Sequence, residues 1–224
     1  MGHLLVTFYF GDIVPYFPLL LRALWVSVYV TAASFAVGSV VGLLLALVRG
    51  GPSKVADAVV SGYIEIMRNT PLLVQLYLIY FGLGQVGINL NPLWSAFVGM
   101  ALNNSAYTAE IFRAGFQSVP NGLREAGAAL GMSYAQVFRY VVLKPAVRNV
   151  LPSLTNQLIV LFLFSSVGSV IALNELTSML QDITSRTNLV LETFTYGAGL
   201  YYAVSALIAL GSRFAEKSLF RWEY

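Results

Sequence analysis

The sequence predicts an all-α integral membrane protein, and three observations support this fold class. Of its 224 residues, 58% are hydrophobic and only 10% are charged, whereas a soluble domain carries about 25% charged residues. The mean hydropathy is +0.74. Several segments of the chain also reach the roughly 20 mostly apolar residues that a membrane-spanning helix needs.

Five such segments are predicted to span the membrane within a single domain, residues 1–224. They are residues 19–48, 55–84, 93–112, 146–172 and 193–212. The first is interrupted only by Arg22, near its start. The others contain more polar residues, and the second includes Glu65, Arg68, Asn69 and Pro71. A polar segment, residues 113–145, separates the third span from the fourth.

The distribution of basic residues predicts the orientation, because Lys and Arg collect on the cytoplasmic side. With the N-terminus outside, most basic residues of the loops lie inside: Arg49, Lys54, Arg113, Arg124, Arg139, Lys144, Arg148, Arg213, Lys217 and Arg221. Only Arg22 and Arg186 lie outside. The chain is therefore predicted to be N-out and C-in, with residues 113–145 cytoplasmic and a short outer helix within residues 174–192.

Several functional classes are excluded by what the sequence lacks. The chain has no cysteine and a single histidine, His3, so neither thiol catalysis nor a histidine-ligated metal site is expected. It contains no G-x-x-x-x-G-K-[ST] loop for ATP and no H-E-x-x-H zinc motif. No basic and aromatic patch suggests nucleic-acid binding. We therefore expect no catalytic residue, no metal and no cofactor in this chain.

The polar segment between the third and fourth spans predicts a short surface helix. Asn121 is a candidate N-cap, and Glu125 is placed in the first turns, where a carboxylate suits the helix dipole. Alanines and Leu130 favour a helix. Gly131 is then expected to end it as the C′ residue.

A second helix is predicted to follow and to lead back into the membrane. Ser133 and Gln136 have the spacing of a capping box, and Pro145 is expected to mark a corner before the fourth span. On spacing alone, an ordinary interfacial helix is an equally good interpretation.

Residues 125–133, Glu-Ala-Gly-Ala-Ala-Leu-Gly-Met-Ser, together with Val-Leu-Lys-Pro at 142–145, resemble the EAA motif of ABC importer permeases. Further stretches resemble the permeases for polar amino acids, the histidine, glutamine, glutamate and arginine group. These stretches are residues 68–75, 106–115, 117–122, 169–171 and 175–176. The resemblance extends over roughly residues 15–220 in a single order.

The resemblance implies a permease subunit of an ATP-binding-cassette importer, which moves polar amino acids across a bacterial inner membrane by alternating access. A separate ATPase dimer would bind ATP, a second permease subunit would complete the pathway, and a periplasmic or surface-tethered binding protein would deliver substrate. The coupling helix that docks on the ATPase would use Asn121, Glu125, Ala126, Gly127, Leu130 and Gly131. A membrane scaffold or assembly protein and a passive channel subunit are the alternatives.

The candidate substrate path centres on Arg68, Asn69 and Thr70 in the second span. Pro71 frees backbone groups, which are tolerated at membrane depth where they line a cavity. An arginine beside them could hold an α-carboxylate through two parallel hydrogen bonds, although Arg68 could instead pair with Glu65. In the fourth span, the candidate path residues are Gln157, Leu163, Phe164 and Ser165.

Three departures from the family pattern are visible. Gly127 stands where alanine is usual, and the proline after the second helix, Pro145, comes one place late. Residues 163–166, Leu-Phe-Ser-Ser, replace a Lys-Asp-Thr/Ser-like polar stretch. The last change predicts either an altered pocket or a subunit whose own pocket has lost polar lining. It favours a heterodimer over a homodimer of permeases.

Other small and polar residues of the spans are given structural roles. Gly38 and Gly42 form a small-xxx-small pair that predicts close helix packing. Asn103 and Asn104 of the third span are expected to bond to neighbouring helices. Ser165 is expected to bond back to its own helix.

Overall fold

A computed structural model describes residues 8–219, and every regular element within that range is helical. His3 and residues 220–224 of the predicted cytoplasmic tail lie outside the described residues. A 3-10 helix, Phe10–Tyr16, leads into the first α-helix. The α-helices are α1 (Phe17–Arg49), α2 (Lys54–Asn69), α3 (Leu72–Tyr77), α4 (Pro92–Gln117), α5 (Asn121–Ala129), α6 (Tyr134–Gln136), α7 (Leu143–Phe164), α8 (Leu176–Thr187) and α9 (Val190–Leu219), besides a three-residue α-helical turn, Leu83–Gln85, between α3 and α4.

Three helical stretches within the described part are long and apolar enough to cross a membrane. They are Phe10–Arg49, Tyr134–Ile171 and Val190–Ser218. The predicted count of five spans is not confirmed by this measure. Helix α4 has 26 residues, but it carries the buried polar residues Asn103, Asn104 and Thr108, which lower its hydropathy.

The most extensive helix packing in the described bundle joins α1 to α4, and we call this contact the α1–α4 seam. A Cβ added at Gly38 would lie 2.7 Å from the carbonyl oxygen of Ala101. A Cβ at Gly42 would clash with Thr108 Oγ1 and lie 2.7 Å from the carbonyl oxygen of Ser105. The predicted close packing of the glycine pair is therefore confirmed, because only glycine lets these backbones approach so closely.

The predicted second span, residues 55–84, is broken at Thr70 and Pro71 and is not one continuous helix. Helix α2 ends at Asn69, Thr70 is extended, and α3 begins at Leu72 after Pro71. A proline ring disfavours the α-conformation for the residue before it, so the chain turns there. Helix α3 then continues as a π-helix, Leu78–Gly82.

Helix α5 begins differently from the prediction. The N-cap position is Pro120, which provides no side-chain cap, and Asn121 is the first helical residue. The prediction of Asn121 as N-cap is therefore wrong by one residue, and no acidic residue lies in the first turn. Glu125 is the fifth residue of the helix, beyond the free N–H groups with which its carboxylate was expected to interact.

The end of α5 follows the prediction. Gly131 has a φ of +77°, a conformation that glycine adopts with little cost. The N–H of Met132 donates to the carbonyl of Gly127 at 3.2 Å, and the N–H of Gly131 donates to the carbonyl of Ala128 at 2.9 Å. These two bonds form a Schellman motif with Gly131 at C′.

The capping box at the start of α6 is confirmed, but the corner at Pro145 is not. The N–H of Ser133 donates to Gln136 Oε1 at 2.8 Å, and the N–H of Gln136 donates to Ser133 Oγ at 3.4 Å. From α6 the chain continues through a π-helix, Val137–Val142, into α7, so Pro145 lies inside a helical stretch. The π-helical turn changes the backbone hydrogen-bond spacing just before the proline, where the usual donor is missing.

A short helix was predicted within residues 174–192, and α8 confirms that a helix forms there. It lies at the end of the bundle away from α5. The residue before it, Glu175, is fully buried. Its carboxylate accepts hydrogen bonds from the N–H of Ser178 at 2.8 Å, from Tyr201 Oη at 3.0 Å and from Ser27 Oγ at 3.3 Å. Glu175 thereby joins α8 to α1 and α9, which explains how a carboxylate is tolerated there.

Candidate functional site

The surface of α5 and the start of α6 carry large apolar side chains that are mostly exposed. Leu130 is 82% exposed and Tyr134 is 84% exposed. Leu123, Ala126 and Glu125 are also exposed. We call residues 121–134 the docking segment, because a protruding apolar surface of this kind is typical of an interaction site.

The inner face of the docking segment is fixed to the bundle. Gly127 is buried, and a Cβ added there would lie 3.1 Å from Val137 Cγ2. Arg124 donates to the carbonyl of Phe116 at the end of α4. The rings of Phe116 and Phe138 lie 5.5 Å apart. The segment therefore presents one apolar face outward while its other face is held by α4 and the π-helix.

An ion-pair network connects three helices beside this segment. Glu110 on α4 binds Arg113 on the same helix, at 2.6 Å between Oε2 and Nη2, and also binds Arg49 at the end of α1. Arg49 Nε lies 3.4 Å from Asp57 on α2. Arg113 also donates to Gln117 at 2.7 Å. Arg49 could not be assigned to this network from the sequence, because nothing local to it predicts a partner 61 residues away.

Arg68 lies at the end of α2 and lines a cavity of about 410 Å³ together with Tyr107, Glu110, Asn149 and Ser153. Its guanidinium carbon is 5.4 Å from the centre of the Tyr107 ring. Within residues 8–219, no ion pair joins Arg68 to Glu65, so that alternative is not supported. A tyrosine ring stabilises the cation without neutralising it.

The break between α2 and α3 is stabilised by Gln75, a role that was not predicted from the sequence. Gln75 Nε2 donates to the carbonyl of Met67 at 2.9 Å and to Thr70 Oγ1 at 2.8 Å. Asn103 Nδ2 in turn donates to Gln75 Oε1 at 3.1 Å. A single glutamine in an otherwise apolar stretch was the available signal. Asn69 and Thr70 remain at the exposed surface beside this network.

Gln157 occupies the interface between α4 and α7. It is buried, and its amide donates to Asn104 Oδ1 at 3.2 Å, while Asn104 donates to the carbonyl of Phe35 at 3.4 Å. The expectation that both asparagines of α4 bond to neighbouring helices is thus confirmed. Gln157 does not line the Arg68 cavity.

The remaining candidates lie at the end of α7. Leu163 and Phe164 are exposed, whereas Ser165 is fully buried and donates to the carbonyl of Phe162 at 2.7 Å. Ser165 therefore bonds back to its own helix, as expected. The structure does not bring these three residues into the Arg68 cavity.

A bundle of long apolar helices with an apolar docking segment at one end defines a multi-pass membrane protein that works with a partner. Comparison with known proteins gives the particular class. The chain belongs to the family described as binding-protein-dependent transport system inner membrane component, whose model matches residues 38–215. It is therefore a membrane subunit of a transport system, and its role is transport rather than catalysis.

Individual relatives match nearly the whole chain. The chain is 36% identical over 212 residues to the nopaline transport system permease protein NocM of Agrobacterium fabrum, covering 88% of each chain. It is 34% identical over 216 residues to the glutamine transport system permease protein GlnP of Escherichia coli, covering 96% of this chain and 99% of GlnP. A solved amino acid ABC transporter with histidines matches with 37% identity and a TM-score of 0.90, covering 95% of this chain and 100% of that one.

Proposed function

We propose that this chain is the permease subunit of a bacterial ABC importer that moves a polar amino acid across the inner membrane by alternating access. Relatives named for nopaline and glutamine transport support the substrate class. The observation that carries the mechanism is the docking segment, with Leu130 and Tyr134 exposed at its tip.

The docking segment suits an ATPase dimer as its partner. Its outer face offers apolar side chains and small alanines, so a groove on another protein can enclose it closely. Its inner face is fastened to α4 and to the π-helix, so a push on the segment moves those elements with it. In this proposal Asn121, Glu125, Ala126, Gly127, Leu130 and Gly131 form the coupling helix, and ATP is bound by the partner.

We further propose the N-out and C-in orientation with five crossings. The pair α2 and α3 would form one broken crossing, and α4 would form another whose polar residues are shielded by neighbouring helices. Arg49, Arg113 and Arg124 gather at the end of the bundle that carries the docking segment. This arrangement agrees with the rule that basic residues stay cytoplasmic.

For the substrate path, we propose that Arg68 binds the α-carboxylate of the amino acid. Its guanidinium is exposed beside the break formed by Asn69, Thr70 and Pro71, and no carboxylate within residues 8–219 forms an ion pair with it. Arginine presents a planar fork that matches a carboxylate. Gln157 and Ser165 would stabilise the helices that surround the path, through their hydrogen bonds to Asn104 and to the carbonyl of Phe162.

Leu163 and Phe164 fit a contact with a second permease subunit. They are exposed apolar residues at the end of α7, where the family pattern has charged or polar ones. A partner permease with polar residues at these positions would supply the missing part of the pocket, so we favour a heterodimer over a homodimer. A periplasmic or surface-tethered binding protein would deliver the substrate to the α8 end.

The function is tested by measuring ATP hydrolysis of the purified complex in proteoliposomes, with a panel of amino acids and the binding protein. Stimulation by one polar amino acid is expected. Absence of any co-purifying ATPase would favour the membrane scaffold, and substrate flux without ATP would favour the passive channel. A co-purifying ATPase with no response across the panel would contradict the amino-acid assignment.

The role of Arg68 is tested by two variants in the same proteoliposomes. Arg68→Ala should lower uptake at least about 10-fold, because a hydrogen bond to a charged group contributes about 1.5–3 kcal/mol. Arg68→Lys keeps the charge but loses the fork, so it should raise KM with a smaller loss. Normal uptake by Arg68→Ala, with the ATPase bound at wild-type yield, would contradict the proposed contact.

A further inference from the structure

A second cavity, of about 460 Å³, lies where the ends of α1 and α4 meet the docking segment. Its volume falls in the range of about 300–1,000 Å³ typical of ligand pockets. One wall is polar and the other is apolar and aromatic. The polar side chains are Arg49, Arg113, Gln117 and Arg124, and Phe116 and Phe138 are prominent in the apolar wall.

The polar wall carries an uncompensated positive charge. Arg49 and Arg113 both bind Glu110, and Arg49 also approaches Asp57, so these two arginines face two carboxylates. Arg124 is different. It donates to the carbonyl of Phe116, and its Nε is buried without a hydrogen-bond partner in the described residues. An unpaired buried donor of this kind is costly unless a ligand satisfies it.

The residues at the mouth of the cavity favour a ligand that is partly apolar. An adjoining depression is lined by Leu47, Gly50, Gly51, Pro52, Tyr134 and Phe138. It continues the apolar wall past the end of α1, where the long apolar stretch Phe10–Arg49 ends. A ligand that fills both spaces has an anionic group for Arg124 and an apolar part for the depression.

We propose that this cavity binds the headgroup of an anionic phospholipid. Its phosphate would accept hydrogen bonds from Arg124, and its acyl chains would extend along Leu47 and the neighbouring depression. Basic pockets between helices on the cytoplasmic side are suited to such headgroups. Placing the lipid in the cytoplasmic leaflet rests on the orientation given under the proposed function, whereas the binding itself does not.

The bound lipid would connect α1 to the docking segment. The phosphate would bind Arg124 of α5 and the acyl chains would contact Leu47 of α1, so the lipid joins two elements that have no direct hydrogen bond to each other among the described residues. Removal of the lipid would loosen the docking segment on that side. The coupling of ATP hydrolysis to transport would then depend on the lipid composition of the membrane.

The test is lipid retention by the intact complex, measured by native mass spectrometry after exchange into detergent with phosphatidylglycerol or phosphatidylcholine. Wild type should retain one phosphatidylglycerol per permease chain in preference to phosphatidylcholine. Arg124→Gln should lower that retention about 10-fold. Arg139→Gln is the matched control, because Arg139 is exposed on the neighbouring π-helix and outside the cavity.

A second variant, Leu47→Trp, fills the mouth without changing any charge and should also reduce retention. It decides the question if Arg124→Gln does not fold, as judged by size-exclusion chromatography. Equal retention by wild type and both variants, or equal retention of the two lipids, would overturn the proposal. If millimolar inorganic phosphate displaced the lipid, the ligand would be a soluble phosphate and the proposed lipid site would be wrong. The assay involves no transport, so its failure is distinct from failure of the proposed importer function.

Discussion

The α1–α4 seam and the docking segment use the same residue type for opposite purposes. In the seam, Gly38 and Gly42 let two backbones approach, and Thr108 Oγ1 donates to the carbonyl of Gly38 at 3.2 Å. In the docking segment, Gly131 takes a left-handed conformation to end a helix whose outer face is bare. The contacts of the seam are made within this chain, whereas the docking segment is, in our proposal, half of an interface.

This difference predicts where substitutions act. Changes in the seam should alter the stability of the chain by itself, because its contacts are internal. Changes on the outer face of the docking segment should leave stability intact and alter only the association with the ATPase. Stability and association, measured on the same variants, therefore test whether the two regions are independent.

The largest effect is expected for Gly42→Ala in the seam. The added Cβ would clash with Thr108, and overpacking of this kind costs about 1–3 kcal/mol. The midpoint of thermal unfolding in detergent should fall. Gly62→Ala is the matched control, because nothing lies within 4 Å of the Cβ position in α2. An unchanged midpoint for Gly42→Ala would show that the seam is looser than described.

Leu130→Asp should have the next largest effect, and only on association. A central apolar residue of an interface contributes about 2 kcal/mol, so the affinity for the ATPase should fall about 30-fold. Surface plasmon resonance with the purified ATPase would measure it. Leu130→Met, which keeps the apolar contact, should bind almost normally. A lowered unfolding midpoint for Leu130→Asp would contradict the independence of the two regions.

Gly131→Ala should have a smaller and local effect. A side chain in the left-handed region costs about 1 kcal/mol, so the amide of Met132, bonded to Gly127, should exchange its hydrogen about 5-fold faster. Hydrogen exchange with mass spectrometry would detect it. Gly122→Ala, in open space on the same helix, is the control. Equal exchange in the two variants would mean that the Schellman motif does not hold the segment.

Gly127→Ala should have the smallest effect. The family usually has alanine at this position, and alanine favours a helix by up to about 1 kcal/mol. The new Cβ would lie only 3.1 Å from Val137 Cγ2, so crowding should offset most of that gain. The unfolding midpoint should hardly change in Gly127→Ala but should rise relative to Val137→Ala when both changes are combined. No such rise would remove crowding as the reason for glycine here.

Local signals predicted the local features well. The capping box at Ser133, the left-handed Gly131 and the packing role of Gly38 and Gly42 follow from residue types at short spacings. The family resemblance is also confirmed by the comparisons. By contrast, Asn121 was assigned as N-cap by residue type alone, and Pro120 at the preceding position shifted the helix start by one residue.

Long-range partners could not be predicted from the sequence. Burial of Glu175 depends on Ser27 and Tyr201, which lie 148 and 26 residues away. The break after Thr70 was visible as a proline, but its stabilisation by Gln75 and Asn103 needs the crossing of α2 over α4.

The uninterrupted helical stretch Tyr134–Ile171 has a mechanical consequence. Pro145, Pro152 and the π-helix all lie in its first half, where missing or altered backbone hydrogen bonds make bending easiest. Beyond Pro152, residues 153–164 form a regular α-helix about 18 Å long, so a rotation of about 10° at its base displaces its far end by about 3 Å. Because the bendable part lies next to the docking segment, a small displacement of that segment would become a larger displacement at the far end of the helix.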